Sequence, residues 1–329
     1  MVGLKKHVRS NRWTRGLSEI AANWNRHGAS AQSAALAFYT IFSLAPVLVV
    51  VIAVAGAVFG EEAVRGQIFN EFQGLMGSQA ALLIQEVLKS AAQPMSGLVA
   101  TLLGIGTLLF GATAVFAQLQ DALNRVWEVA PKPGAVFTTL LRKRLLSFAI
   151  LLGVGFLLMV SLVMSAALSA LSSRLEALLP VDVELLQIFN FLLSFVLITL
   201  LFALIYRLLP DVRLAGRDVL LGAVATSLLF VLGKTAIGFY LGRTTVASAY
   251  GAAGSLVVVL LWVYYSSLIF FLGAELTWVW SRHHNAGHAP PEEGAMRVPA
   301  EMAGASAPKP EALKKLARWR AEHKQRKSS

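Results

Sequence analysis

The chain has 329 residues, 56% of them hydrophobic and only 14% charged, with a mean hydropathy of +0.64; soluble proteins carry ~25% charged residues, so an ordinary soluble enzyme is excluded. The apolar residues come in runs long enough to cross a hydrocarbon core about 30 Å thick, and the net charge is +11. No cysteine is present, which excludes a disulfide framework, thiolate metal sites, iron–sulfur clusters and a cysteine nucleophile.

Residues 1–33 form a basic segment without a short apolar core and small-residue cleavage site, so the sequence predicts no cleavable signal peptide, and the first span serves as its own insertion signal. Within it Trp13, Leu17, Ile20, Ala21 and Trp24 recur at helical spacing among Arg and Asn, the pattern of an interfacial helix that docks beneath the first span. Six apolar runs follow, at about 34–59, 98–123, 145–171, 185–209, 219–241 and 256–280; each must be a helix, because lipid offers the backbone no partner. The reading is an all-α polytopic membrane protein, a six-transmembrane-helix bundle over residues 34–281. The first connection, 60–97, is too long to be structureless. Val64, Ile68, Phe72, Leu75 and Met76, then Leu83, Val87 and Ala91, mark two amphipathic helices broken near Gly77-Ser78. Beyond Arg282 a His-, Pro- and Gly-rich stretch runs to about Pro310, a composition that predicts a disordered linker. The tail, 282–329, closes on a basic stretch from Glu311 to Lys327 with a thin apolar face.

Lys and Arg alternate sharply between connections. Six precede the first run, five lie in the second connection, three in the fourth and ten in the tail, twenty-four in all; the intervening first, third and fifth hold two, one and two. By the positive-inside rule both termini are expected in the cytosol of a bacterial inner membrane. The excess charge sits in these cytosolic ends, which favours topology and attraction to anionic lipid over a nucleic-acid cleft.

Ionisable and polar residues inside spans are expensive and face protein or water. Asp121 precedes Arg125 by four residues, the spacing of a simple exposed ion pair, while Gln118 and Asn124 flank it about one turn away as a polar stripe. Lys234 lies about 10 Å from the outer end of its run at 1.5 Å per residue, suited equally to snorkelling and to a pathway. Glu275, inside an aromatic belt, either bonds a facing helix or serves transport. Tyr39, Thr40, Ser43 and Pro46 put a polar stripe and a helix breaker into the first span; helix packing is the simpler reading, a transport site the sharper one. Gly56 with Gly60 and Gly238 with Gly242 suggest close helix crossings. A weak echo between Leu109-Phe110-Gly111-Ala112 and Phe271-Leu272-Gly273-Ala274 is better read as chance than as a repeat.

Enzyme signatures fail on inspection. All six histidines lie outside the spans, and His284 with His288, though spaced as a helical metal pair, is followed by Pro290-Pro291. Gly233-Lys234-Thr235 lacks the upstream glycine of a phosphate loop, that position being Leu228. No metal, cofactor or catalysis is expected.

Several strings together resemble the YihY/BrkB family of bacterial inner-membrane proteins. They run from Ala35-Leu36-Ala37-Phe38-Tyr39-Thr40 through Pro46, Ala122-Leu123-Asn124-Arg125-Val126-Trp127 and Tyr206-Arg207-Leu208-Leu209-Pro210-Asp211 to Gly222-Ala223 and Gly233-Lys234. Tyr250-Gly251-Ala252-Ala253-Gly254-Ser255-Leu256, Trp262-Val263-Tyr264 and Gly273-Ala274-Glu275 complete them, so the likeness covers about 20–282. The resemblance implies a six-helix bundle with cytosolic ends and no settled activity. An old ribonuclease BN label attached to some members finds no ligand cluster here.

The sequence thus points to a transporter or flippase-like protein for a lipid or amphipathic envelope component. Tyr39, Ser43, Pro46, Gln118, Asp121, Asn124, Lys234 and Glu275 are the candidate polar path, and Arg207 and Arg213 the headgroup contacts. The rival is a scaffold whose basic tail binds a partner or anionic lipid; a membrane-bound hydrolase is remote. Membrane lipids are the expected partners, a homo-oligomer and a cytosolic partner of the tail stay open, and nucleic acid is not expected.

Overall fold

Apolar runs that must satisfy their own backbone become helices, and the computed structural model is built almost wholly of them. It describes residues 12–91, 98–132, 183–243, 253–284, 289–292, 295–299 and Glu311. In chain order these form α1 (Arg12–His27), α2 (Ala29–Phe59), α3 (Glu61–Met76), α4 (Ser78–Ala91), α5 (Leu98–Val126), strand β1 (Val129–Pro131), α6 (Val183–Leu208), α7 (Gly216–Arg243), α8 (Gly254–His284) and strand β2 (Ala295–Arg297). Among the described residues α2, α6, α7 and α8 are long and apolar enough to cross a membrane. The second predicted run is carried by α5, a 29-residue helix packed along α2; the predicted run 145–171 lies outside the described residues.

The helices pack in the order α5, α2, α8, α7, α6, with α1 laid across α8 and the α3–α4 hairpin set on α2 and α8. Gly28, Gly60 and Gly77 make the single-residue joints between α1, α2, α3 and α4, at φ of 64°, 87° and 87°, a backbone region that only glycine enters freely. Ile188, Leu192, Val196 and Leu200 on α6, and Leu220, Val224, Leu228 and Leu232 on α7, stay exposed at every fourth position. Each set is one helix face, turned outward.

Four expectations change. The buried face of α1 is Ile20, Asn23 and His27, while Leu17 is 66% exposed, and the helix packs chiefly on α8 rather than under the first span. Its rotation follows a buried polar contact described below, not its apolar stripe. The stretch after Arg282 is not a featureless linker: α8 continues to His284, β2 pairs antiparallel with β1 as Ala130 opposite Met296, and Val212 bridges Pro291. Ala295, Met296 and Val298 are buried there, a short apolar patch that the surrounding composition masks. Third, α2 runs unbroken through Pro46, whose ring faces Gly111 of α5; a Cβ at Gly111 would come within 2.8 Å of it.

The tight crossing also differs from the predicted glycine pairs. Around Gly238 and Gly60 a Cβ would meet open space, and at Gly56 it would meet only Glu61 next door. The close contact is instead between α7 and α8, where Gly222-x-x-x-Thr226 interlocks with Gly273-x-x-x-Thr277. Each threonine hydroxyl donates to the glycine carbonyl of its own helix at 2.7 Å, and a Cβ on either glycine would overlap the threonine of the other helix. Small residues let helix backbones approach closely in lipid, where packing drives association.

Gly222→Ala or Gly273→Ala should therefore destabilise the protein by about 1–3 kcal/mol, the usual range for overpacking. Gly238→Ala, with room for its methyl, should be neutral or slightly stabilising. Thermal unfolding of the three variants in detergent checks this.

Candidate functional site at the α1 end of the bundle

A carboxylate inside an apolar helix needs a partner, and for Glu275 of α8 it is His27, the last residue of α1. His27 Nδ1 lies 2.6 Å from Glu275 Oε1, with side-chain exposures of 1% and 0%. The ring's other nitrogen faces Glu128 Oε1 at 3.8 Å. Glu128 lies two residues past the end of α5, at a φ of 54°, and its carbonyl accepts the N–H of Val298 just past β2. Trp278 stands edge-on to the His27 ring with centroids 6.1 Å apart. Asn23, one turn earlier on α1, is also buried; among the described residues its Nδ2, His27 Nε2 and Glu275 Oε2 lack hydrogen-bond partners.

A second pair repeats the contact at the surface with the residue types exchanged. Glu19 of α1 meets His283 of α8 at 2.9 Å and Arg282 at 3.8 Å. The pairs lie eight residues apart on each helix, so α1 and α8 run antiparallel in one register. Burial works against charging His27, but the facing carboxylates Glu128 and Glu275 outweigh it and push the imidazole up to about 9 from its ordinary 6.5.

Beside this pair lies a neutral-to-acidic network. Asn124 Nδ2 donates to Asp211 Oδ2 at 3.0 Å, and Asn124 Oδ1 accepts the Asp211 backbone N–H at 2.8 Å. Gln120 donates to Asp211 Oδ1 at 3.3 Å, and Gln118 donates to Gln32 of α2 at 3.0 Å. The Asp211 carbonyl accepts the N–H of Glu292, and Pro290 accepts that of Arg213, so the chain after α8 straps the α6–α7 connection. Tyr206 at the end of α6 donates to the Phe270 carbonyl at 2.7 Å and shares a 3.0 Å hydrogen bond with Thr226.

The predicted polar set does not converge on one cavity in the described structure. Asn124 and Glu275 reach the buried network and Gln118 its margin. Asp121 is exposed and interacts with Arg125, as the simple ion-pair reading expects. The Thr40 and Ser43 hydroxyls return to their own helix, on Leu36 and Thr40 carbonyls, and Tyr39 points outward beside Phe38. Arg207, Arg213 and Lys234 are exposed, with Lys234 about 27 Å along α7 from Gly216 at 1.5 Å per residue. The arginines and Lys234 therefore sit toward opposite ends of the bundle.

His27, Glu128, Tyr206 and Asp211 escaped the sequence reading. One signal was available: a lone intramembrane glutamate demands a proton or a cation, and His27 is the ionisable residue that abuts the first span. Chemically, the arrangement can hold a proton between a histidine and two carboxylates. Among the described residues no three His, Asp or Glu side chains are grouped to hold a metal ion.

Residues 20–297 match the sequence profile of the family described as virulence factor BrkB. Among similar curated proteins, a UPF0761 membrane protein of Pseudoalteromonas atlantica is 28% identical over 77% of this chain and 82% of its own length. Others from Alcanivorax borkumensis and Legionella pneumophila are 30% and 29% identical over 78% and 77% of this chain, and the match spans only 58% of each of them. No solved structure matches.

With its pKa raised on docking, His27 contributes stability that is complete below pH about 6.5, declines as pH rises between about 6.5 and 9 and is gone above that. The midpoint of thermal unfolding should fall across this window, and His27→Gln should flatten the fall. Glu275→Ala, which strands a buried imidazolium beside Glu128, should destabilise by about 3–5 kcal/mol; denaturation in detergent at pH 7 measures it.

Proposed function

The chain belongs to the virulence factor BrkB family of membrane proteins, and from that premise we propose that it is a transporter or flippase-like protein for a lipid or amphipathic envelope component, without catalysis of its own. In this reading it is a six-span protein of the bacterial inner membrane with both termini in the cytosol. The observation that supports it is Lys234. This cation is exposed on α7 within a wall of exposed Leu228, Leu232, Phe239 and Tyr240, where hydrocarbon cannot solvate it and a phosphate headgroup can. Arg207 and Arg213 present positive charge toward the other end of the same helix pair, so a headgroup would meet a cation on either side of the bilayer. With no nucleotide motif in the sequence, any driving force comes from an ion gradient, or movement is passive.

The strap gives a second reading its footing. Pairing of β2 with β1 fixes the root of the basic tail to the bundle, an arrangement suited to a scaffold that presents the tail to a partner or to anionic lipid.

Purified protein in liposomes should move a labelled anionic phospholipid between leaflets faster than empty liposomes, and Lys234→Ala should slow it about fivefold, the equivalent of about 1 kcal/mol per surface cation. Movement at the empty-liposome rate, or an unchanged variant, would overturn the reading. Truncation after Pro299, which keeps the strap, should leave transport intact; loss of cellular function with transport preserved would favour the scaffold.

A further inference from the structure

The α3–α4 hairpin carries a groove that the polar path does not use. Its volume is about 720 Å³, within the roughly 300–1,000 Å³ of small-molecule sites. The wall from α3 presents Glu62, Arg65, Gly66 and Phe69, and that from α4 presents Leu82, Gln85, Glu86 and Lys89. Both sets follow the i, i+3, i+4, i+7 spacing of a single helix face. Ile68, Ala81, Ile84 and Leu88 are buried beneath.

Because the two helices run back to back from the joint at Gly77, the order of residues gives the groove a polarity. Glu62 and Arg65 open α3 and Glu86 and Lys89 close α4, so all four charges gather at the end away from Gly77. Phe69 and Leu82 line the end nearer to it, and Leu82 is 55% exposed. One end therefore offers ions and the other hydrocarbon, the profile of an amphipath with its head and the upper part of one acyl chain.

The charges narrow the head. Arg65 is held by Glu61 at 2.6 Å. Glu62, Glu86 and Lys89 make no ion pair among the described residues. Two carboxylates repel a purely anionic head; together with an ammonium and a guanidinium they complement one that carries both an amine and a phosphate. We propose that this groove binds a phospholipid with a zwitterionic, amine-bearing head such as phosphoethanolamine, the amine toward Glu62 and Glu86 and the phosphate toward Lys89 and Arg65. As a substrate class this rests on the transport reading; as a binding site it stands apart from it.

Gly66 supplies the test. A Cβ there meets nothing within 4 Å, so Gly66→Trp projects a ring into the groove without touching the core beneath. The full chain in detergent, titrated with lysophosphatidylethanolamine and followed by native mass spectrometry, should take up one saturable equivalent and bind lysophosphatidylglycerol at least tenfold more weakly. Gly66→Trp should weaken binding at least tenfold with unchanged thermal stability, and Lys89→Glu, at an exposed position, at least fivefold. Equal affinity for the two lipids, or full binding by both variants, would overturn the proposal. Leaflet movement is scored separately with Lys234→Ala: binding without movement leaves the groove standing and removes the transport reading, and movement without binding does the reverse.

Discussion

A glutamate sealed inside an apolar helix cannot remain charged and alone, and the way Glu275 is neutralised organises one end of this protein. Its partner, His27, does not belong to a membrane-crossing helix but to the short amphipathic α1. Burying the pair draws α1 across α8 and turns its Asn23–His27 face inward. The outer Glu19–His283 pair then fixes direction and register. The exposed pair adds little on its own, whereas removal of either buried partner would leave an uncompensated charge or an empty polar socket.

Around this contact the bundle is closed by geometry that needs no charge. The Gly222/Thr277 and Gly273/Thr226 interlock brings α7 and α8 together, with Tyr206 wedged against the same spot. Asp211 and Asn124 tie the α6–α7 connection to α5. Four of the strings that carry the family resemblance, 122–127, 206–211, 222–223 and 273–275, are far apart in the chain and meet here. That part of the likeness maps onto an assembled layer rather than onto a pocket.

Much of the fold was legible because its cause is local. Among the described residues, apolar length marks where the long helices lie, and the spacing of Val64, Ile68 and Met76 with the break at Gly77 locates the α3–α4 hairpin to within a residue or two. Asn124 and Glu275 were singled out because polar groups in spans require partners, and both have them. What stayed hidden is non-local. No periodicity connects His27 to a glutamate 248 positions later, nor Gly222 to a threonine on another helix. On α1 the apolar stripe misled, since Leu17 faces outward while a histidine is sealed. The β2 strand was concealed by its neighbours, three residues in a Pro- and Gly-rich tract with only a distant strand to give them meaning.

That strand carries a consequence for how the molecule is made. Val129 pairs with Arg297, so a segment laid down soon after α5 waits through the synthesis of every later helix before its partner leaves the ribosome. Until then Glu128 has no Val298 N–H on its carbonyl, and the Asp211 carbonyl has no Glu292. Membrane insertion proceeds in chain order, and the strap forms only after α8 has been made. Completion of the buried layer is therefore a post-insertional event, and a nascent chain stalled before residue 297 differs from the finished protein not in helices α1–α8 but in the seal at the end of them.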